Sequence, residues 1–256
     1  MAKLIDKYIL GARVAPVAVI SFSLFLAISA WIPFSHWPIK LAGGGTVLVL
    51  AAFVLAQIAR DAGKAIEGPL WASWGGPPTV RMLRHRDTTF DPGLKGRIHR
   101  RLVELRVVER MPSEAEEETD PAGADRVYTT CSGWLRNKAL ELKAVSPFDV
   151  VHAENIAYGF RRNLLGIRPY GLAILGVAVA VTVAAFFFGR EPIIELCGIA
   201  LVGTFLVLGV NEAALRRAAN EYSIRLLNAV EAIPLPRTPA PKAGSGIKKP
   251  RSPAKS

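Results

Sequence analysis

Apolar residues are gathered into four runs along this chain. Residues 14–39 contain no Asp, Glu, Lys or Arg, and neither do 41–59, 169–189 or 196–211, the last with an apolar lead-in at 192–194. Crossing a hydrocarbon layer about 30 Å thick takes roughly 20 apolar residues at ~1.5 Å each, and each run reaches that length. A helix buried in a water-soluble core would carry a polar stripe, and these carry none across their middles. The pattern predicts four transmembrane helices.

The runs pair into two hairpins. The first turns at 31–40, where Trp31 and Trp37 suit a membrane interface and Pro33 and Pro38 interrupt the helix. The second turns at 189–192, Gly-Arg-Glu-Pro. Lys3, Lys7 and Arg13 would suit the start of a secretory signal, but the apolar run behind them is too long and a second span follows directly. The first run is therefore read as a retained helix.

Between the hairpins the periodicity is helical, with no alternation of the strand type. Three helix starts combine a capping residue with a following proline: Asp91-Pro92, Asp120-Pro121 and Ser146-Pro147, the last with Asp149 as a capping-box acid. After the first, Leu94, Ile98, Leu102, Leu105 and Val108 predict an amphipathic helix ending near Met111-Pro112. After the second, Tyr128, Cys131, Leu135, Ala139 and Leu142 form another stripe, and the acidic stretch 113–120 between them reads as a solvated loop. The third helix runs towards the membrane, with Gly166 and Pro169 offering a kink before the third span. Residues 211–233 read as a helical continuation of the fourth span. The tail 234–256, with six prolines, six Lys/Arg and no acid, reads as disordered.

The expected fold is thus an all-α integral membrane protein with four transmembrane helices in two hairpins and a helical cytoplasmic domain inserted between them. Its expected divisions are an N-terminal segment 1–13, a hairpin 14–59, the domain 60–168, a hairpin 169–211, a helix 212–233 and the tail 234–256.

Charge fixes the expected orientation. The 256 residues are 51% hydrophobic yet carry a formal charge of +11, with a pI near 10.0 and a mean hydropathy of +0.28. Three Lys/Arg precede the first span, eighteen lie in 60–168 and nine follow from Arg216 on, whereas the opposite side has only Lys40 and Arg190. The positive-inside rule then places both termini and the central domain in the cytoplasm of a bacterial inner membrane. The positive excess is explained by topology, so nucleic acid is not an expected partner. The basic tail is expected to attract anionic lipid headgroups, at about 1 kcal/mol per basic residue. Cys131 and Cys197 fall in different environments and are not expected to pair.

Familiar chemistry is sparse. His36, His85, His99 and His152 are scattered, no Cys-x-x-Cys occurs, and no phosphate-binding glycine loop is present, so no metal or cofactor is expected. His85-Arg86-Asp87 matches a kinase catalytic loop in letters only, since Pro92 stands where that motif needs Asn. The spans hold no ionisable side chain well inside the bilayer, which disfavours a pump or coupled carrier. Ser21, Ser23, Thr46, Gln57, Thr182 and Thr204 are expected to bond their own helix or a neighbour, the alternative being the lining of a pore built from several copies. Gly176, Ala180 and Ala184 form a small-residue ridge suited to close packing, within the chain or in a homo-oligomer.

Two sets of residues are candidates for function. Arg81, Arg84 and His85 follow the glycine turn at Gly75-Gly76, and Arg97 and His99 on the next helix would complete an anion-binding pocket. Glu154, Asn155, Tyr158, Arg161, Arg162 and Asn163 make the approach to the third span more polar than a plain extension needs, and so form a candidate coupling network. The leading expectation is a sensor or effector. Its cytoplasmic domain takes up an unknown ligand or protein and couples it to the membrane helices, alone or as an oligomeric pore. The alternatives are a membrane-surface enzyme acting on a phosphate-bearing lipid or nucleotide, and a passive subunit of a larger membrane complex.

Overall fold

The computed structural model of the chain describes residues 7–32 and 37–235, with side chains described for 7–32 and from 52 on. Among the described residues every regular element is a helix. Helix α1 (Ile9–Ser29) begins as a π-helix over Ile9–Val14 and continues as an α-helix over Ala15–Ser29. Pro16 marks the change, because it has no N–H to offer the Ala12 carbonyl one turn back.

Helices α2 (Trp37–Ser73) and α7 (Phe148–Phe187) are the longest, at 37 and 40 residues. At ~1.5 Å per residue they run about 55 and 60 Å, so each outreaches an apolar layer of about 30 Å and carries a polar end beyond it. Between them lie α3 (Pro78–Leu83), α4 (Pro92–Glu104), α5 (Glu114–Thr119) and α6 (Pro121–Glu141). Helix α8 (Ile193–Gly209) ends in a π turn over Phe205–Gly209, and α9 (Glu212–Ala232) leaves it at 67°.

Helices α1 and α7 are long and apolar enough to cross a membrane, and α8 with α9 adds a third candidate if the bent pair is one span. The predicted span 41–59 lies for the most part outside the residues whose side chains are described, as do the 33–40 turn, Thr46 and the tail from 236 on. Around α1, α7 and α8 a belt of large apolar side chains stands exposed, including Phe22, Val177, Phe187, Ile194, Leu201 and Leu208. So large an exposed apolar surface belongs against hydrocarbon.

The polar helices share one core. The stripes expected on α4 and α6 are the buried faces: Ile98, Leu102 and Leu105, and Tyr128, Cys131, Leu135 and Ala139. They pack on Met82 and Leu83 of α3, Phe148 of α7, and Leu226, Leu227 and Val230 of α9. Full burial of such a side chain contributes roughly 1.5–3 kcal/mol. In the apolar half, Ile20, Leu164, Ile167 and Leu206 form one cluster and Ala27, Ala178 and Ile199 another.

Several local expectations are corrected. Asp91 and Asp120 do cap α4 and α6, accepting from the N–H groups of Leu94 and Gly123. Ser146 does not cap α7, and Asp149 makes no capping box. The Val145 carbonyl already takes the N–H groups of Phe148 and Asp149, and the helix starts at Phe148 after a cis Ser146–Pro147 peptide. Helix α4 stops at Glu104, well before Met111. Arg106 turns left-handed (φ 57°), with Arg106 N–H bonded to Val103 O and Val107 N–H to Leu102 O. That paired closure ends a helix.

The acidic stretch is no solvated loop. Ser113 and Glu116 form a reciprocal capping box that starts α5, and Glu117 is buried. Residues 211–233 do not continue α8, because Asn211 turns extended and caps α9 through Ala214 N–H. Helix α7 runs unbroken through Pro169, and Gly166 serves close packing: a Cβ there would meet the backbone of Ala62 and Gly63. Gly176 and Ala180 are exposed, and the small residues that α7 buries beyond Pro169 are Gly171, Ala178, Thr182 and Ala185. Ser23, Thr182 and Thr204 bond carbonyls of their own helices.

Candidate functional site

The residues expected to hold an anion occupy the α3–α4 corner, and most are committed to other partners. Arg84 makes a two-pronged bond to Asp125 of α6 at 2.8 and 2.7 Å, and its third nitrogen donates to the Gly75 carbonyl at 2.6 Å. That carbonyl is presented by a turn that needs Gly75 and Gly76 at positive φ. Arg81 lies 3.3 Å from Asp87 and donates to Asn220 of α9. Arg97 stands exposed and pairs with Glu231.

The two histidines pack ring edge to ring face, 5.2 Å apart. His85 Nε2 donates to the Pro112 carbonyl, and the buried His99 Nε2 to that of Leu83. Burial pushes His99 down to about 4, with the nearby His85 and Lys95 charges acting in the same direction, so its ring is neutral near pH 7. Beneath them Lys95 donates to the carbonyls of Arg84, His85 and Asp87. Burial lowers its amine, opposed by the charges of Asp87 and Glu117.

Glu117 accepts from His85 N–H and from the Tyr128 hydroxyl, each at 2.7 Å. Burial alone would raise that carboxyl; these donors, with Arg86 N–H, outweigh it and hold it below its ordinary value. Arg84, His85, Lys95, His99 and Glu117 are thus tied to one another, to carbonyls and to Asp125, an arrangement that fixes a corner of the fold.

The second set converges where α1, α2 and α7 cross. Arg162 is buried, donates to Glu67 of α2 at 3.2 Å and to the Asn163 side-chain oxygen at 3.1 and 3.0 Å, and lies over the Tyr158 ring. Tyr158 donates to the same Glu67 oxygen. Asn163 in turn donates to the Ala12 carbonyl of α1 at 2.7 Å, the carbonyl that Pro16 leaves without an α-helical partner. Farther along α7, Arg168 donates to the carbonyls of Leu206 and Val207 at the π end of α8. One helix therefore carries polar side chains onto α1, α2 and α8.

The helices approach closely at this crossing. A Cβ on Gly11 would strike Ile156, one on Gly159 would strike Ala12, one on Gly63 would strike Asn163, and one on Gly166 would strike the backbone at Ala62 and Gly63. Beside it opens a cavity of about 440 Å³ whose walls come from α2, α3, α6, α7 and α9. Tyr158, Arg162 and Asn155 line it, as do Lys64, Glu67, Ser132, Arg136 and Tyr222. Of the expected network, Tyr158, Arg162 and Asn163 meet directly and Asn155 faces the cavity. Arg161 is exposed beside the α8–α9 bend, and Glu154 is half-buried and forms no hydrogen bond or ion pair with the others.

Sequence reasoning missed Glu67, Lys64, Arg136 and Arg168. The available signal was faint: Glu67 follows the apolar run 41–59 by about two helical turns, with Arg60, Asp61 and Lys64 in between. Among the described residues no group of three His, Cys, Asp or Glu is placed to hold a metal ion. No protein-family model, no curated protein and no solved structure matches this chain.

Proposed function

We propose that this chain is a multi-pass membrane protein with four spans in two hairpins, its termini and helical domain on the cytoplasmic side. In this reading the domain takes up a ligand or partner and passes its binding state to the membrane helices through α7. The observation that carries it is the crossing just described: Glu67, Tyr158, Arg162 and Asn163 tie α7 to α1 and α2 at the edge of a 440 Å³ cavity. An occupant of that cavity touches Arg162 and Tyr158, and α7 continues unbroken from there into its apolar half. A plain anchor has no need of a buried arginine–glutamate–tyrosine cluster at this position.

The two cysteines supply the test. Cys197 is exposed on α8, whereas Cys131 is buried in the domain core, where burial pushes its thiol up to about 11. A membrane-permeant maleimide applied to the full chain in liposomes therefore reports on the membrane half. The variant Asn163→Ala, which cuts the tie to α1, is expected to change the Cys197 labelling rate by about threefold or more with the domain still folded. Labelling unchanged in Asn163→Ala and in Glu67→Gln overturns the reading.

A further inference from the structure

The cavity at the crossing is electrostatically one-sided, and that asymmetry bears on what it can accept. Among the described residues its one carboxylate is Glu67, which is paired with Arg162 at 3.2 Å and also bonded by Tyr158. Two further cations face the same space, Lys64 from α2 and Arg136 from α6. Neither forms an ion pair among the described residues. Both are exposed, so they stand at the mouth. Deeper in, Ser132 is buried in the wall one turn from Arg136, and the exposed Thr129 precedes it on the same face of α6, at the three- and four-residue spacing that aligns side chains along a helix. Asn155 of α7 adds an amide from the facing side. These three side chains make no hydrogen bond within the described residues.

Lys64 and Arg136 are like charges with no carboxylate of their own, and the hydroxyls and amide beside them, brought from α6 and α7, are left to bond water. The same set matches an anion with several oxygens and more than one negative charge. The planar guanidinium of Arg136 spans two oxygens, the Lys64 ammonium supplies a point charge, and the hydroxyls and amide reach the remaining lone pairs. A volume of about 440 Å³ lies in the range of small-molecule sites, which is roughly 300–1,000 Å³.

Building on the sensing role proposed above, we infer that this cavity binds a phosphate group, with Lys64 and Arg136 as its charge partners and Ser132, Thr129 and Asn155 as its neutral donors. The group reaches the site on a soluble phosphomonoester or on a lipid headgroup, since Lys64 follows the apolar run 41–59 by one helical turn.

The full chain in detergent is titrated calorimetrically with inorganic phosphate, glycerol phosphate and, as a carboxylate control, citrate. In parallel, its thermal midpoint is compared in nanodiscs of phosphatidylcholine with and without phosphatidic acid. Binding of either phosphate source, weakened about tenfold or more in Arg136→Gln and in Lys64→Gln at unchanged melting behaviour, is the expected result. Response to glycerol phosphate alone assigns a soluble ligand, and response to phosphatidic acid alone assigns a lipid. No response to any phosphate source, or one unaffected by both variants, overturns the inference. Citrate binding in place of phosphate also overturns it and leaves the sensing role standing. Phosphate binding that leaves Cys197 labelling unchanged supports the site and counts against the coupling.

Discussion

Replacing Gly166 by alanine sets two effects of opposite sign against each other. In a helix interior, alanine is better than glycine by roughly 0.8–1 kcal/mol, so on propensity alone Gly166→Ala stabilises α7. The crossing with α2 dictates otherwise. A Cβ at 166 would stand 2.5 Å from Gly63 N, 2.6 Å from the Ala62 carbonyl carbon and 2.7 Å from Gly63 Cα. All three are backbone atoms, and ordinary contact needs about 3.5–4.0 Å, so the helices must part by about 1 Å. Overpacking of this kind costs roughly 1–3 kcal/mol, so the propensity gain is cancelled at the least and the net loss reaches about 2 kcal/mol. The same separation draws Glu67 away from Arg162, now 3.2 Å distant. Gly133→Ala is the control, because a Cβ there on α6 meets nothing within 4 Å. Denaturant unfolding of the full chain in micelles, followed by tryptophan fluorescence, measures both. A stabilised Gly166→Ala alongside a stabilised Gly133→Ala would refute the close crossing.

Two further outcomes follow from the helical domain. His99 has an ordinary value of 6.5 and about 4 in the fold, so the unfolded chain binds the proton more readily. Its contribution is complete above about pH 6.5 and declines as pH falls towards 4, by about 3 kcal/mol in all. His99→Gln keeps a donor for the Leu83 carbonyl, and its melting midpoint should fall less than wild type between pH 7 and pH 4.5; parallel falls would contradict this. Arg106→Gly should raise the melting midpoint through a gain of roughly 0.5–1 kcal/mol, because an exposed arginine now holds the left-handed position after α4. A lowered midpoint would show that the Arg106 side chain contributes more than its backbone strain removes.

What the sequence revealed was decided locally. The first and third apolar runs became α1 and α7, and the aspartates before Pro92 and Pro121 capped the helices they were expected to cap. Two misses also had local signals. Ser113-Glu-Ala-Glu116 has the spacing of a capping box, hidden by the weight of its acids, and Asn211 before Glu212 is a capping residue that foretells a break. Other features had no local signal. Glu117 is buried because donors from residues 85, 86 and 128 surround it, and Arg84 is occupied because Asp125, 41 residues later, lies opposite. The crossing was half legible: Tyr158, Arg162 and Asn163 stood out as too polar for their position. Their partner Glu67 lies 95 residues from Arg162, and the Ala12 carbonyl has no side-chain signature.

The carbonyls of Ala12 and Leu206 have a consequence for how α7 moves. Each belongs to a π-helical stretch of an apolar helix, and each is bonded by a side chain of α7. Ala12 and Leu206 are buried among the helices, away from water, and stranding a buried carbonyl costs about 1–3 kcal/mol. Small sliding or rolling of α7 against α1 and α8 is therefore opposed from both sides at once. The three helices shift together as one body, or α7 jumps to a register in which both carbonyls find new donors. In the coupling proposed above, motion along this helix is discrete.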